Sequence, residues 1–188
     1  MKKILSVLLI SMLSACMPQK PDSAFYSFAP SDISHPIAEN RIIVDVARVK
    51  IPEYIDRTQI VTTSDTAVNI SNHNRWAEGL SPMIQRRIIS DLEAMLPRAI
   101  IKNSDFAGKS PNYTVFVEVY KLDGAPGDKI SLDAIYTITS DNDNNIRTKN
   151  VHYTADTGAE YSDYAAAAGD LVGRLSKSIA ADLVKMDK

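Results

Sequence analysis

The chain has 188 residues, 45% of them hydrophobic and 23% charged, with 7 Gly and 9 Pro, which is the profile of one ordinary globular domain and excludes a disordered, collagenous or coiled-coil chain. Lys and Arg total 21 against 23 Asp and Glu, a formal charge of -2. No like-charge run exceeds two residues, which argues against a nucleic-acid surface built on phosphate contacts. A single cysteine excludes an internal disulfide framework and a cysteine-rich zinc site.

That cysteine sits at the end of an address. Lys2 and Lys3 precede an apolar run from Ile4 to Leu13, the charged and hydrophobic regions of a secretory signal. As a helix the run would span about 15 Å, half of a bilayer core of about 30 Å, so it is too short for a permanent span. Leu13-Ser14-Ala15-Cys16 resembles the bacterial lipobox, which implies cleavage after a signal peptide of residues 1–15 and a covalent lipid on Cys16, the one cofactor-like group expected. Because each buried methylene contributes about 0.8 kcal/mol, two or three acyl chains anchor durably in membrane phospholipid where one would not. Met17 stands where Asp would resemble an inner-membrane retention signal, which points to the outer membrane, periplasmic face. Residues 16–24 are polar with two prolines and read as a tether, leaving 25–188 as a single folded domain.

Within that domain, Arg41–Val49 is rich in β-branched residues, and Thr58–Thr63 and Ala67–Ile70 read as two more strands around a turn. Ser81-Pro82 predicts a helix start, with Ser at the N-cap and Pro at the first helical position. Ile84, Ile88, Leu92 and Met95 then recur at helical spacing until Pro97. Tyr113–Lys121, Ile130–Ile138 and Arg147–Ala155 alternate as strands, joined by Gly124–Asp128 and Asp141–Asn145, so they predict a three-stranded meander. Ser162–Met186 carries a helical stripe of Tyr164, Ala168, Leu171, Leu175, Ile179 and Leu183. The order implies an α+β fold, a mostly antiparallel sheet with two helices packed on one face in a two-layer sandwich. Its other face must be solvated or meet a partner.

Catalytic chemistry finds no support. The one Cys is committed to lipid, and no nucleophile elbow, HExxH or P-loop pattern occurs around His35, His73 and His152, so an enzyme is not expected. Asp141-x-Asp143-x-Asn145 begins like a calcium loop, but Ile146 replaces the required Gly and His152 the terminal Glu, which favours a hairpin turn over a metal site. Ala165, Gly169 and Gly173 form a small-residue groove, suited to packing on the protein's own sheet or, less often, to an intersubunit contact. Trp76, the only Trp, fits either a core lid or an interface anchor.

Two segments carry a family resemblance. Val49-Lys-Ile-Pro-Glu-Tyr-Ile-Asp-Arg-Thr-Gln-Ile-Val61 and Arg75-Trp-Ala-Glu-Gly-Leu80, followed by a helix ending Asp91-Leu-x-x-x-Leu96, resemble the PqiC/YmbA family of auxiliary lipoproteins of ABC-type, MCE-dependent lipid transport. Gly79 departs from the Pro expected after Arg-Trp-Ala-Glu. The resemblance implies an outer-membrane lipoprotein that docks a periplasm-spanning MCE-domain protein (PqiB-like), itself held by an inner-membrane PqiA-like protein, with a homo-oligomeric ring as an extension. Partner binding would run through Asp56, Arg57, Gln59, Arg75, Trp76 and Glu78, with the two arginines as planar donors. The alternative is a periplasmic lipid-binding carrier, which needs an apolar cavity of several hundred Å³. A structural lipoprotein without a transport link would share only the anchor.

Overall fold

The computed structural model describes residues 22–30, 33, 35–39, 41–64, 66–103, 110–143 and 145–187. The signal peptide, Cys16 and the tether up to residue 21 lie outside the described residues. Alternation of apolar and polar residues builds the largest unit first. Strands β6 (Tyr113–Gly124), β7 (Lys129–Ser140) and β8 (Ile146–Asp156) form the expected antiparallel meander. Gly124 closes the first hairpin because a Cβ there would lie 2.0 Å from the Lys129 carbonyl oxygen, which no side chain tolerates. At the second turn, the Asn145 N–H donates to Asp143 Oδ1 at 3.2 Å, an Asx-type closure.

Two short strands extend the meander. β2 (Ile43–Val46) runs parallel to β6 on one side and to β5 (Ile100–Asn103) on the other, giving the order β5-β2-β6-β7-β8. Parallel neighbours need a crossover, and helix α1 (Leu80–Met95) supplies it. The sheet therefore has a parallel edge on an antiparallel body. Sequence periodicity does not reveal β5, whose four residues are too few to show an alternation, and the strand expected over Arg41–Val49 contracts to Ile43–Val46.

A second sheet departs from the single sheet expected. β1 (Ala24–Tyr26), β4 (Ala67–Trp76) and β3 (Gln59–Ser64) form three strands in the order β1-β4-β3, with β1 parallel and β3 antiparallel to β4. Propensity marks β3 and β4 as strands, but which sheet they join depends on where the Pro52–Thr58 turn sends the chain, and no local pattern encodes that.

Both helices cover one face of the five-stranded sheet. Val44, Val46, Val115, Val117, Leu132, Tyr136 and Ile138 point inward and are buried. They meet Ile84, Ile88 and Leu92 of α1 and Leu171, Leu175, Ile179 and Leu183 of α2 (Tyr161–Met186). Each such side chain contributes about 1.5–3 kcal/mol by leaving water. Among the described residues no helix is long and apolar enough to cross a membrane.

Helix α1 starts two residues earlier than expected, with Gly79 at the N-cap. Ser81 is not a cap. Its hydroxyl is buried and donates to the Val49 carbonyl oxygen at 2.5 Å, tying the helix to the chain leaving β2.

Near the end of α2 a buried carboxylate bridges helix and sheet. Asp182 Oδ2 accepts from Tyr136 Oη at 2.7 Å, and its Oδ1 accepts from Arg147 Nη1 at 2.9 Å. Burial alone would raise the Asp182 pKa, but hydrogen bonds from Tyr136 and Arg147 outweigh it and hold it below the ordinary carboxylate value. A group depressed in the folded state stabilises the fold above its unfolded pKa and loses that contribution as pH falls through the folded value. Acidification below about pH 4 should therefore lower the melting temperature of the wild type more than that of Asp182→Asn, as thermal scans from pH 7 to pH 2.5 would show.

Candidate interaction surface

The two signature segments, separated in sequence, are knitted together in space. The Trp76 N–H donates to the Thr58 carbonyl oxygen at 2.6 Å, and Gln59 lies directly opposite Arg75 across the β3–β4 ladder. β1 adds the third member, because Phe25 is in register with Arg75. Directly opposed residues on neighbouring strands share a face, so Phe25, Arg75 and Gln59 form a row across the outer face of the small sheet. Phe25 is 64% exposed. Sequence pattern marks Phe25 only as the start of the domain, since nothing in β1's three residues announces a sheet edge.

The turn before β3 is held firmly. Ile55 is buried, and the Ile55 and Asp56 N–H groups both donate to the Pro52 carbonyl oxygen, at 3.1 and 3.2 Å. Tyr54 Oη donates to Asp123 Oδ2 at 3.0 Å, while Lys121 Nζ lies 3.3 Å from Asp123 Oδ1. Burial, then the hydrogen bond and charge of Asp123, push the Tyr54 phenol up to about 12, so it stays a neutral donor throughout the physiological range. This anchored turn presents Asp56 to solvent and leaves Arg57 half-buried. Arg57 Nε is buried without a hydrogen-bond partner, and among the described residues neither Arg57 nor Arg75 forms an ion pair. Arg75, a planar and permanently charged donor, is thus held beside an exposed aromatic ring, an arrangement suited to carboxylates or backbone carbonyls of another chain.

Glu78 is engaged differently. It forms an ion pair with Arg86, nearly two turns into α1, across the β4–α1 corner.

Trp76 is 3% exposed, so its burial withdraws it from the surface set and selects the core reading. The period-2 pattern explains why: Arg75 points out, and Trp76 must point in. Its ring contacts Phe28 edge-on, with centroids 5.7 Å apart, and Tyr164 of α2 at 6.5 Å. Tyr164 Oη in turn donates to the Val61 carbonyl oxygen at 3.3 Å.

The small-residue groove on α2 is also used internally, though not against the sheet. A Cβ at Gly169 would lie 3.3 Å from Phe28 Cβ and from Arg87 Nη1, so the segment after β1 and helix α1 occupy that position. Arg87 donates to the Ala29 carbonyl oxygen and is itself held by Asp91 at 2.9 and 3.1 Å. Asp91 of the third motif is therefore a buried counter-ion that straps the N-terminal segment across both helices. Motif spacing singles out Asp91 but not this role, because the partner segment lies more than fifty residues away.

The outer face of the five-stranded sheet is the second open surface. Phe116 and Tyr120 on β6 are 49% and 54% exposed. A shallow trough of about 390 Å³ runs over Phe116, Ile135 and Thr137 between Arg48, Lys50 and Glu118. The space between helices and sheet, by contrast, is filled by fully buried side chains, Tyr136, Ile84, Leu92 and Ile130 among them.

Residues 26–180 match the family model of the ABC-type transport auxiliary lipoprotein component. The chain belongs to that family, the PqiC/YmbA-type auxiliary lipoproteins. Family membership makes it a lipoprotein component of an ABC-type transport system with a membrane-anchored place in the cell envelope. Its fold is similar to that of an uncharacterized protein at TM-score 0.72 and 17% identity, covering 86% of this chain and 99% of that one. A Xanthomonas campestris protein of the family model DUF330 is similar at TM-score 0.65 and 10% identity, covering 84% of this chain and 92% of that one. At these identities the likeness concerns fold alone. No curated protein matches the sequence.

The packing around Trp76 leads to a definite expectation. Trp76→Ala should destabilise the domain by about 3–5 kcal/mol, the cost of emptying a large aromatic site in a core, seen as a lower denaturant midpoint with little change in slope.

Proposed function

We propose that this lipoprotein docks the periplasm-spanning MCE-domain protein of a PqiABC-like lipid transport system at the outer membrane, binding it through the outer face of the small sheet. The observation that carries this reading is Arg75, which forms no ion pair among the described residues and lies in a row with exposed Phe25 and Gln59. A half-exposed guanidinium of this kind can exchange water for a carboxylate or carbonyl of another chain. Family membership supplies the transport setting, and the outer-membrane site follows from the lipobox with Met17. In this reading the protein holds a partner and performs no chemistry, and lipid passes through the partner's assembly.

The carrier alternative draws no support from the interior, since the apolar side chains between helices and sheet are fully packed. Docking by surface donors predicts a clean separation of binding from stability. Arg57→Ala combined with Arg75→Ala should reduce co-purification of the MCE-domain protein from gently solubilised envelopes at least about tenfold, as expected for loss of roughly 1.4 kcal/mol or more at an arginine-centred contact. The melting temperature should stay close to that of the wild type. Undiminished recovery of the partner would reject this face as the docking surface, and absence of any MCE-domain protein from the wild-type preparation would reject the transport partner itself.

A further inference from the structure

The two edges of the large sheet differ in kind. At one side β5 is four residues long, whereas at the other β8 is an edge strand of 11 residues, paired to β7 along its whole length without a register shift. Natural edges of that length are ordinarily broken by a proline, a bulge or a covering segment. From Ile146 to Asp156 there is no proline and no glycine, and among the described residues no strand lies against the far side of β8.

Hydrogen bonds at both ends of the hairpin fix which backbone groups face outward. The Ser140 N–H donates to the Asn145 carbonyl oxygen at 2.9 Å, and the Thr157 N–H to the Asp128 carbonyl oxygen at 2.8 Å. The odd-numbered residues of β8 are therefore the ones bonded to β7, and the alternate residues turn both their backbone groups away. The Thr154 carbonyl oxygen agrees, since it accepts from Arg174 Nη1 of α2 at 3.0 Å. The outward N–H and C=O groups of Thr148, Asn150 and His152 have no partner among the described residues.

The charge along this edge is positive. Arg147 Nη1 lies 2.9 Å from Asp182, and Lys149 Nζ donates to Ser178 Oγ at 2.9 Å, so both side chains lean toward α2, which adds Arg174 and Lys185. Against these four cations stand Asp170, paired with Arg174 at 2.8 Å, and Asp182, shared by Arg147 and Lys185. Lys149 forms no ion pair among the described residues. Asp141, Asp143 and Asp156 lie at the ends of the strand, and on its outer face His152 is engaged by Asp133.

We propose that β8 is a site of strand addition that takes an extended acidic segment of a further protein, distinct from the partner on the small sheet. The main chain of that segment would bond to Thr148, Asn150 and His152. Its alternate side chains, lying on the α2 side, would be Asp or Glu facing Arg147, Lys149 and Arg174. A second copy of this chain does not fit, because pairing β8 with itself sets Arg147 and Lys149 against their like.

The test uses the full-length lipoprotein in detergent micelles. The probe is a fluorescent peptide, Thr-Glu-Val-Glu-Thr-Glu-Val-Glu-Thr, and its control carries Lys in place of every Glu. Anisotropy should show the acidic peptide binding at least about tenfold more tightly than the control, as expected for several charge pairs across one edge. Bound peptide should slow amide exchange at Thr148, Asn150 and His152 but not at Gln59. Asn150→Pro removes only an outward N–H, which an edge strand accepts, and Lys149→Glu keeps the edge while reversing its charge. Each should weaken binding at least about fivefold with a melting temperature near that of the wild type. Equal affinity for the two peptides, no binding of the acidic one, or amide protection confined to other segments would overturn the proposal. Slowed exchange of the three amides in the protein alone, appearing only as its concentration rises, would overturn it in favour of a second copy.

Discussion

The structure depends on one junction, the burial of Trp76 where the small sheet meets the helices. The Trp76 N–H extends the β3–β4 ladder to Thr58, and its ring packs against Phe28 and Tyr164. Four segments distant in sequence converge there: the strand after the tether, the turn before β3, the end of β4 and the start of α2. An aromatic residue suits the position because one side chain can bury about 150–250 Å² at small entropic cost. With Trp76 turned inward, strand alternation turns Arg75 outward, so the core contact also creates the exposed row with Phe25 and Gln59. Packing and presentation are two consequences of one pleat.

The same logic ties the first strand to the body. Immediately after β1 the chain crosses the helices, where Phe28 fills the space left by Gly169 and Arg87 holds the Ala29 carbonyl, with Asp91 as the buried counter-ion. A buried pair of this kind contributes little net stability, yet removing one partner is costly because the other charge remains in a low-dielectric site. Its use here is positional: it fastens the segment that leads to the tether. The strap holds the segment after β1 in a fixed position against both helices.

Local periodicity is what makes a fold legible in its sequence, and here it covers the meander and the long helix. The meander alternates cleanly through Val115, Val117 and Val119 and through Leu132, Ala134 and Tyr136, and the α2 stripe repeats at helical spacing, so the residues alone specify both. Non-local choices are not legible. Nothing around Gln59–Ser64 says that this hairpin leaves the main sheet, β1 and β5 are too short to carry a pattern, and Ser81-Pro82 imitates a cap although the Ser81 hydroxyl serves the Val49 carbonyl. Trp76 illustrates the limit for the site: composition leaves core and interface open, and only the face assigned by its strand decides between them. The motif pair marks a single patch because Gln59 and Arg75 are cross-strand neighbours. The roles of Phe25 and Asp91 emerge only with their distant partners.

The central claim is that the outer face of the small sheet meets the MCE-domain protein. Photo-cross-linking in intact cells tests it most directly, with a photoreactive amino acid placed at Gln59 and, separately, at Asn150 on the outer face of the large sheet. The account predicts a cross-linked product from position 59 that contains an MCE-domain protein, and none from position 150. Cross-links to that protein from position 150 alone, or from position 59 only to further copies of the lipoprotein, would contradict it.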